Sequence, residues 1–591
     1  MQFKLIDDLA VHFAESANLD RLELAADPCP ADMNGDITVN CFRLARALKR
    51  KPEEIADAAV AFCQSHDDAE SAERLKAFAN ITLRPAALFR DTVSDEAAVV
   101  PPQVISDDEK IHYLLEYSAP NTNKPQHLGH VRNNTLGMAV GGILKRAGHD
   151  VTLINLVNDR GIHICKSMIA YERFGNDCTP ESTGKKGDHL IGEFYVRFDQ
   201  ELKRQVADLK SADPELKDEE AEALFLQTEI GAATQEMLQK WEACDEAVLS
   251  LWRRLNSWVL EGFDATYARM GATFDKTYLE SNTYSLGRDI IDDGVQRGIF
   301  AKRQDGAIEI DLTDKKLDKK VVQRSDGTSV YITQDIGTTV LKHEDFSPDA
   351  MVWVVGDEQI YHFQVLFAIL QALGYEWAGN LHHLAYGMVN LPHGKMKSRE
   401  GTVVDADELF DGMTELARQT TIEKWDEVPD DIDERAHIIA MAAVKYMLLK
   451  VGPRTSIKFD PDAAIRFEGD TGPFVLMNYV RVASLERKKE GIELAEQPEW
   501  QLLGEPAERA LAIRCSLYPK ILRRAASDLD TSVVAGYLIE LARDFSSFWS
   551  SCPVLKADPS LARTRLELCR RVAAILGDGL DTLGIDKLEE M

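Results

Sequence analysis

Two short motifs carry the clearest chemistry in this sequence. Residues 127–130 read His-Leu-Gly-His, and residues 395–398 read Lys-Met-Lys-Ser. Two imidazoles flanking a glycine can donate to phosphate oxygens while a nucleotide approaches the bare backbone. A separate lysine-bearing loop can neutralise a leaving pyrophosphate. Together the motifs predict an enzyme in which a carboxylate attacks the α-phosphate of ATP.

Each motif alone is weak, because capping histidines and basic surface turns are common. The position of the first motif strengthens it, since it follows a predicted strand and opens a predicted helix. Ligand phosphates bind at such helix N-termini in parallel α/β sheets. The candidate catalytic residues are His127, His130, Lys395 and Lys397. The candidate ATP-binding residues are those four together with Gly129, Ser398 and Arg399.

The elements around the first motif predict a parallel sheet. Residues 111–118 form an apolar run typical of a buried strand, a helix then ends at Gly148, and residues 151–157 form a second strand. This order predicts a βαβ unit and hence parallel strands. The sheet is expected to resume at residues 307–312, 351–355 and 383–389.

With 591 residues, the chain is too long for a single core. We predict a multidomain α/β protein with a small N-terminal α/β domain and a Rossmann-like catalytic domain built on a parallel sheet. A mainly helical insertion splits the catalytic domain, and the C-terminal domain is all-helical. The predicted boundaries are 1–100, 101–405 with the insertion at about 175–275, a helical connecting region at 406–465, and 466–591.

Charge and cysteine usage restrict the class of protein. The formal net charge of -30 argues by itself against a nucleic-acid partner, because phosphates are bound by Lys and Arg. Basic side chains are nevertheless concentrated at residues 481–489, 514–524 and 563–571. The nine cysteines form no CxxC pair, so we expect no zinc or other protein-bound metal. Without an apolar run of roughly 20 residues, we expect no membrane contact and a cytoplasmic location.

The two motifs resemble the HIGH and KMSKS signatures of class I aminoacyl-tRNA synthetases. The stretch EYSAPNTNKPQHLGHVRNN, residues 116–134, resembles the arginyl-tRNA synthetases in particular. So do YITQDIG at 331–337, GDEQIYHFQ at 356–364 and GDTGPFVLMNYVRVASL at 469–485. The first hundred residues resemble that family's N-terminal tRNA-contacting domain. The resemblance therefore covers essentially the whole chain, with its motifs in the family's order.

The resemblance implies a site for arginine. A guanidinium is a planar fork of donors that pairs best with carboxylates. By resemblance, Glu116 and Asp335 hold the guanidinium, Tyr331 packs against it, and Asn121 and Gln359 orient the α-amino end. If YITQD opens a helix, Tyr331 and Asp335 lie on one face of it.

The C-terminal part resembles the family's anticodon-binding domain. Tyr479 and Arg481 lie in its most recognisable segment and are the candidate tRNA-binding residues. Aromatic and arginine side chains there could stack on unpaired bases. Packing within a helix bundle remains the alternative interpretation of these residues.

The resemblance implies a reaction in two steps. L-arginine and ATP form arginyl-adenylate and pyrophosphate, and the arginyl group is then transferred to the 3′-terminal ribose of tRNA(Arg), releasing AMP. It also implies Mg²⁺ bound to the ATP substrate, tRNA binding before activation, and no editing domain. We further expect a monomer.

Two departures from the family pattern matter. The signature lysines are three positions apart in the family, whereas Lys395 and Lys397 are two apart, so the lysine that contacts pyrophosphate stays open. Lys397 is favoured, because residues 397–399 align with the end of the signature. Ala119 stands where the family often has serine, a change that we expect to be mild.

Three other interpretations remain. The chain could be a class I synthetase for cysteine or glutamate, but it lacks paired cysteines and has acidic pocket candidates. It could be an inactive relative that binds tRNA, although both motifs are intact. It could also be a small-molecule nucleotidyltransferase with the same fold, which would not need the N-terminal domain or the long helical C-terminal part.

Overall fold

A computed structural model describes residues 3–30, 32–94, 104–216, 219–220, 222–391, 404–423 and 428–591. Its strands are β1 Ala26–Pro28, β2 Ile37–Asn40, β3 Ala69–Leu75, β4 Phe78–Leu83, β5 His112–Glu116, β6 Asp150–Val157, β7 Lys276–Leu279, β8 Ala301–Lys302, β9 Ile308–Ile310, β10 Lys320–Gln323, β11 Ala350–Gly356, β12 Leu381–Tyr386, β13 Val389–Asn390 and β14 Ile457–Lys458.

The helices in the first half of the chain are α1 Lys4–Ser16, α2 Ala45–Leu48, α3 Pro52–Gln64, α4 Pro85–Thr92, α5 Leu128–Ala147, α6 Ile162–Phe174, α7 Pro180–Thr183, α8 Gly187–Ala212, α9 Glu229–Glu242, α10 Glu246–Met270, α11 Glu280–Thr283 and α12 Arg288–Gln296. Those in the second half are α13 Tyr331–Phe346, α14 Ile360–Ala372, α15 Ala406–Ile422, α16 Ile432–Leu449, α17 Pro461–Ala464, α18 Gly472–Lys488, α19 Pro506–Ser516, α20 Tyr518–Asp528, α21 Thr531–Ser551 and α22 Pro559–Thr582.

A five-stranded parallel sheet lies at the centre of the catalytic region, with the strand order β12-β11-β5-β6-β7. The predicted βαβ unit is confirmed, since α5 connects β5 to β6 and ends at Gly148 in the left-handed region. From β5 the chain builds the sheet towards β7, and it later returns to the other side of β5 with β11. The strand order therefore reverses between β5 and β11, and ligands of such sheets bind at that point, outside the carboxyl ends of the strands.

Two details of the predicted sheet are corrected. The strand predicted at 307–312 is shorter, Ile308–Ile310, and lies in a separate three-stranded antiparallel sheet with β8 and β10. Its buried positions alternate with a half-buried glutamate, as expected for a sheet with one covered face. The fifth strand of the main sheet is instead β7, which was not predicted because four residues of mixed polarity give little periodicity.

The predicted strand at 383–389 also divides in two. β12 begins earlier, at Leu381, and ends at Tyr386, while Val389–Asn390 pairs in parallel with Ile457–Lys458. The region after residue 405 is otherwise helical among its described residues, as predicted.

The N-terminal region is an antiparallel sheet of four strands in the order β1-β2-β4-β3, and α3 packs against β3 and β4. The helix α3 begins with Pro52 in its first turn, where the missing N–H of proline costs nothing. This sheet is tied to the C-terminal helices, because Arg509 of α19 donates to Asp36 Oδ1 at 3.0 Å and to the carbonyl of Leu83 at 2.7 Å.

The C-terminal helices pack directly on the helix that carries the first motif. Arg146 at the end of α5 binds Asp578 of α22 at 2.8 Å, and Tyr518 of α20 donates to the same carboxylate at 2.6 Å. A Cβ at Gly142 would lie 2.2 Å from the carbonyl oxygen of Thr582, so glycine is needed for this close contact. Among the helices of the described residues, none has the length and apolar composition that crossing a membrane requires.

Candidate active site

His127 and His130 are fixed by hydrogen bonds to the backbone of their own turn. His127 is the N-cap of α5, and its Nδ1 accepts from the Gly129 amide at 3.0 Å. His130 Nδ1 accepts from the His127 amide at 3.2 Å, and the ring centroids are 4.0 Å apart. In a neutral imidazole the nitrogen that accepts carries no hydrogen, so the proton lies on Nε2 of both rings. The turn therefore presents two Nε2–H donors.

Both histidines stay neutral at physiological pH. Burial, with the nearby charge of Lys124, lowers the pKa of His127 to about 4. Burial, with His127 and Lys124 nearby, places the pKa of His130 well below its ordinary value. Neutral Nε2–H groups at the positive end of a helix can still donate hydrogen bonds to phosphate oxygens.

Gly129 is required by the histidine in front of it. A Cβ at this position would lie 2.9 Å from His127 Cε1, closer than side-chain atoms normally approach. Since the ring is held by its hydrogen bond to the Gly129 amide, it has little freedom to move away. Gly129 thus fixes the position of the His127 imidazole, in addition to its predicted role of letting a nucleotide approach the backbone.

The loop between β5 and α5 has an unusual backbone that two asparagines support. Ser118 and Ala119 both have positive φ, at 80° and 48°. The Ser118 amide donates to Asn133 Oδ1 at 2.6 Å, and the Ala119 amide donates to Asn155 Oδ1 at 3.0 Å. Such strained positions persist where their surroundings hold them. Ala119 takes part through its backbone amide. The absence of the serine hydroxyl often found here in the family therefore removes neither hydrogen bond to the asparagines. Two residues later, the backbone of Asn121 pairs with that of Asn158 in a parallel bridge.

The predicted arginine-binding residues lie on both sides of the reversal in strand order. Glu116 is the last residue of β5, is buried, and pairs with Lys342 of α13. Asp335 lies one turn into the same helix and meets His362 Nε2 at 2.6 Å. Tyr331 begins the helix and is 77% exposed. The fifth candidate, Gln359, ends a short 3₁₀ turn directly after β11 and is exposed.

A further carboxylate, Glu280, was not predicted. It opens α11 directly after β7, and burial raises its pKa to about 7, with Asp159 and Asp335 adding to the effect and Arg160 opposing it. Its helix α11 packs against α13, the helix that carries Asp335. The available sequence signal was an acid following a strand, but β7 itself is too short to be recognised.

The lysine-bearing motif lies outside the described residues, and with it the candidates Lys395, Lys397, Ser398 and Arg399. The segment that follows it is described from Val404. There His127 pairs with Asp405 in an antiparallel bridge.

The candidate tRNA-binding residues make contacts within the helix bundle. The Tyr479 ring packs against α22, where a Cβ at Gly577 would lie 3.0 Å from its Cε2. Arg481 donates to Asn478 Oδ1 at 2.9 Å and to Ser546 Oγ at 3.1 Å. Both are only partly buried, so their contact with tRNA stays a prediction.

A cleft of about 1360 Å³ lies beside His127, between the insertion and the N-terminus of α15. Its charged lining includes more basic than acidic side chains. They are Lys124, Arg173, Lys185, Lys186 and Arg197 against Glu193, Asp405 and Glu408.

At one wall of this cleft, Asp188, His189 and Asp407 approach each other closely enough to hold a metal ion. Cations of the protein already occupy them, because Lys186 binds both carboxylates and Arg269 binds Asp407 at 2.9 Å. Burial raises the pKa of Asp407, but the hydrogen bonds from His189 and Lys186 outweigh it and hold that pKa below its ordinary value. The cluster fits an ion-pair network that joins α8, α10 and α15, and it does not fit a resident Mg²⁺ ion.

Comparison with known proteins agrees with this geometry. Family models match along the chain: "Arginyl tRNA synthetase N terminal domain" at residues 5–83, "tRNA synthetases class I (R), catalytic domain" at 98–460, and "DALR anticodon binding domain" at 475–591. An arginine–tRNA ligase of Amoebophilus asiaticus is 43% identical over 577 residues, covering 95% of each chain. That of Bacteroides thetaiotaomicron is 41% identical over 566 residues, covering 94% of this chain and 93% of its own.

Solved structures show the same fold. The arginyl-tRNA synthetase of Thermus thermophilus superposes with a TM-score of 0.80 at 26% identity, covering 100% of both chains. That of Plasmodium falciparum, at 17% identity, has a TM-score of 0.73 and covers 100% of this chain and 99% of its own.

A parallel sheet with paired histidines at its point of strand reversal, joined to a DALR domain, defines a class I aminoacyl-tRNA synthetase. Within that class, the chain belongs to the arginyl-tRNA synthetase family. The predicted family and fold class are confirmed. The alternatives of a synthetase for cysteine or glutamate and of a small-molecule nucleotidyltransferase are thereby rejected.

Proposed function

We propose that this enzyme is an arginine–tRNA ligase that uses ATP and releases AMP and pyrophosphate. The observation that supports the proposal is that the two histidines begin the helix that follows β5, while Glu116 ends β5 and Glu280 directly follows β7. Asp335 lies in the first turns of α13. The histidines suit a triphosphate, and the carboxylates suit a guanidinium.

In the first step, the carboxylate of bound arginine attacks the α-phosphorus of ATP in line, and the bond to pyrophosphate breaks. Nε2–H of His127 and of His130 donates to phosphate oxygens as negative charge develops on them. Lys395 or Lys397, with Ser398 and Arg399, binds the departing pyrophosphate, and Lys397 is the favoured lysine. Mg²⁺ accompanies ATP as the counter-ion of the substrate, and we assign it no protein ligand.

Arginine is held by its side chain and its amino group. Asp335 and Glu116 accept from the guanidinium, Tyr331 packs against it, and Asn121 and Gln359 orient the α-amino end. A neutral or shorter side chain would not form the charged hydrogen bonds to Asp335 and Glu116, so it would be rejected at binding. We therefore propose no editing reaction.

In the second step, the terminal ribose hydroxyl of tRNA(Arg) attacks the carbonyl of arginyl-adenylate, and AMP leaves. The cleft beside His127 is large enough for the end of a nucleic-acid strand and is predominantly basic. Tyr479 and Arg481 contact the anticodon end of the tRNA. Residues 1–100, 101–405 and 466–591 act as the tRNA-contacting, catalytic and anticodon-binding domains, joined by a helical region at 406–465.

Arginine-dependent exchange of pyrophosphate into ATP tests this function. The full-length protein is assayed with each of arginine, cysteine and glutamate, with and without tRNA(Arg). Exchange with arginine alone among the three supports the proposal, and exchange only in the presence of tRNA supports tRNA binding before activation. A folded protein that exchanges with none of them would contradict the proposal.

We also propose that the enzyme acts as a monomer in the cytoplasm. The nine cysteines are free, as expected in a reducing compartment. Light scattering after size exclusion tests the first point: the mass of one chain supports a monomer, and twice that mass contradicts it.

A further inference from the structure

A buried ion pair lies under the candidate guanidinium site. Glu116 and Lys342 are 7% and 2% exposed, and the Lys342 ammonium meets Glu116 Oε2. Lys342 lies two helical turns beyond Asp335 on α13, so both side chains lie on nearly the same face of that helix. One helix therefore carries a carboxylate for the substrate and a cation for the neighbouring carboxylate.

The surroundings leave Lys342 as the cation that faces Glu116. The strand neighbours of Glu116 are Trp353 of β11 and Ile154 of β6, which are apolar. From β7, Tyr278 faces the pair, with its ring centroid 5.9 Å from the Lys342 ammonium.

The nearest other ions are already paired with each other. The Tyr278 hydroxyl donates to Asp345 at 2.5 Å, and Lys276 binds the same Asp345 oxygen at 2.6 Å. Glu116 is thus the carboxylate that compensates the buried Lys342 ammonium.

The ion pair is formed through one oxygen of the Glu116 carboxylate. Oε2 is buried and meets the Lys342 ammonium, and apart from this contact it has no hydrogen-bond partner among the described residues. Removing one partner of a buried ion pair leaves the other charge uncompensated, which is costly. The ammonium therefore holds the Glu116 carboxylate in one position, with its other oxygen as the remaining acceptor.

We propose that Lys342 is a positioning residue that holds the Glu116 carboxylate in place, so that its other oxygen accepts from the arginine side chain. The inference rests on the proposed function, in which Glu116 receives the guanidinium. Its consequence is specificity: a guanidinium has only donors and needs an acceptor, whereas the ureido oxygen of citrulline accepts. Without Lys342 the Glu116 carboxylate would lose its fixed position, and the preference for arginine would fall.

Exchange kinetics of Lys342→Met test this role in the full-length enzyme with tRNA(Arg). Arginine and citrulline are compared at pH 7. We expect the KM for arginine to rise by about tenfold or more, the size expected for a lost hydrogen bond to a charged group, while kcat changes little. The ratio of arginine to citrulline activity should also fall.

Two further variants separate charge from packing. Lys342→Arg restores the cation and should return the KM for arginine towards the wild-type value. Lys342→Gln keeps a donor for Oε2 without the charge. It should raise the KM for arginine as Lys342→Met does, and it tests the prediction if the methionine variant folds poorly.

Lys276→Met is the matched control. Lys276 lies 4.6 Å from the same Tyr278 ring but pairs with Asp345, so its loss should leave the arginine KM unchanged. An unchanged arginine KM and unchanged specificity in both Lys342→Gln and Lys342→Met, or a fall in kcat alone, would overturn the proposal. Wild-type enzyme that fails to exchange with arginine would instead overturn the proposed function.

Discussion

The backbones of His127 and Asp405 pair in an antiparallel bridge. Residues 126–128 and 404–406 share two flanking hydrogen bonds, each 2.9 Å long. Asp405 also caps α15, since its Oδ1 accepts from the amides of Asp407 at 2.9 Å and Glu408 at 3.1 Å. The chain that follows the lysine-bearing motif is therefore fixed directly to the histidine motif, although the two are far apart in sequence.

This relationship predicts that Asp405→Ala affects catalysis as well as stability. Loss of the cap should lower the free energy of unfolding by about 1 kcal/mol. Because the same residue pairs with the His127 backbone, displacement of that turn should also slow pyrophosphate exchange by about tenfold or more. Urea unfolding and exchange kinetics measure the two effects.

Asp245→Ala provides the control for this variant. Asp245 caps α10 in the same way, accepting from the amides of Ala247 and Val248 at 3.1 Å, but within the insertion. It should lose similar stability and retain its exchange rate. Equal exchange rates in the two variants would show that the bridge has no catalytic effect.

The tautomer of His130 predicts the relative exchange activities of its glutamine, asparagine and alanine variants. Glutamine can place an amide N–H near the position of Nε2, whereas asparagine resembles the Nδ1 side of the ring. His130→Gln should therefore retain more exchange activity than His130→Asn, and His130→Ala should lose about 10²–10³ in kcat, as is usual for a lost transition-state donor. Higher activity in the asparagine variant would mean that Nδ1, not Nε2, faces the phosphates.

The raised pKa of Glu280, about 7, predicts a pH dependence of arginine binding. A bound guanidinium favours the ionised carboxylate, so the KM for arginine should rise as the pH falls below 7, by at most about tenfold per pH unit. Glu280→Gln should remove this dependence. Steady-state exchange between pH 5.5 and 8.5 measures it, and an unchanged slope in the variant would assign the dependence to another group.

The same shift affects stability in a defined direction. The folded-state pKa of Glu280 lies above its ordinary value of 4.5, so its favourable contribution is complete below that value and is lost as the pH rises through about 7. The Tm of the free enzyme should therefore decline between pH 5 and 8 more in wild type than in Glu280→Gln. Calorimetry in matched buffers tests this difference.

The close contact at Gly129 predicts that Gly129→Ala is inactive but folded. The added methyl group would displace the His127 ring, so exchange should fall by about 10² or more. Gly536→Ala is the control, because a Cβ there meets nothing within 4 Å in the interior of α21. It should raise stability by up to about 1 kcal/mol and leave exchange unchanged. Normal activity in Gly129→Ala would show that the ring position is not critical.

Local patterns in the sequence were sufficient for the βαβ unit, the helical insertion and the helical C-terminal region. Each depends on periodicity over a long stretch, which the sequence displays directly. β7 and the separate sheet of β9 were missed for the opposite reason. A strand of three or four residues gains most of its stability from the strands and side chains that pack against it. The sequence alone does not show which residues these are.

The sequence by itself was enough to identify the family and to predict the chemical groups of the candidate site. These groups are the two histidines, the lysine-bearing motif, and the carboxylates Glu116 and Asp335. Only the tertiary structure decided their states. The imidazole tautomers, the coupling of Glu280 to Asp335 and the pairing of Glu116 with Lys342 depend on which groups meet and on how far water is excluded. Both are properties of the packed chain, because burial and neighbouring charge set which ionised forms are stable.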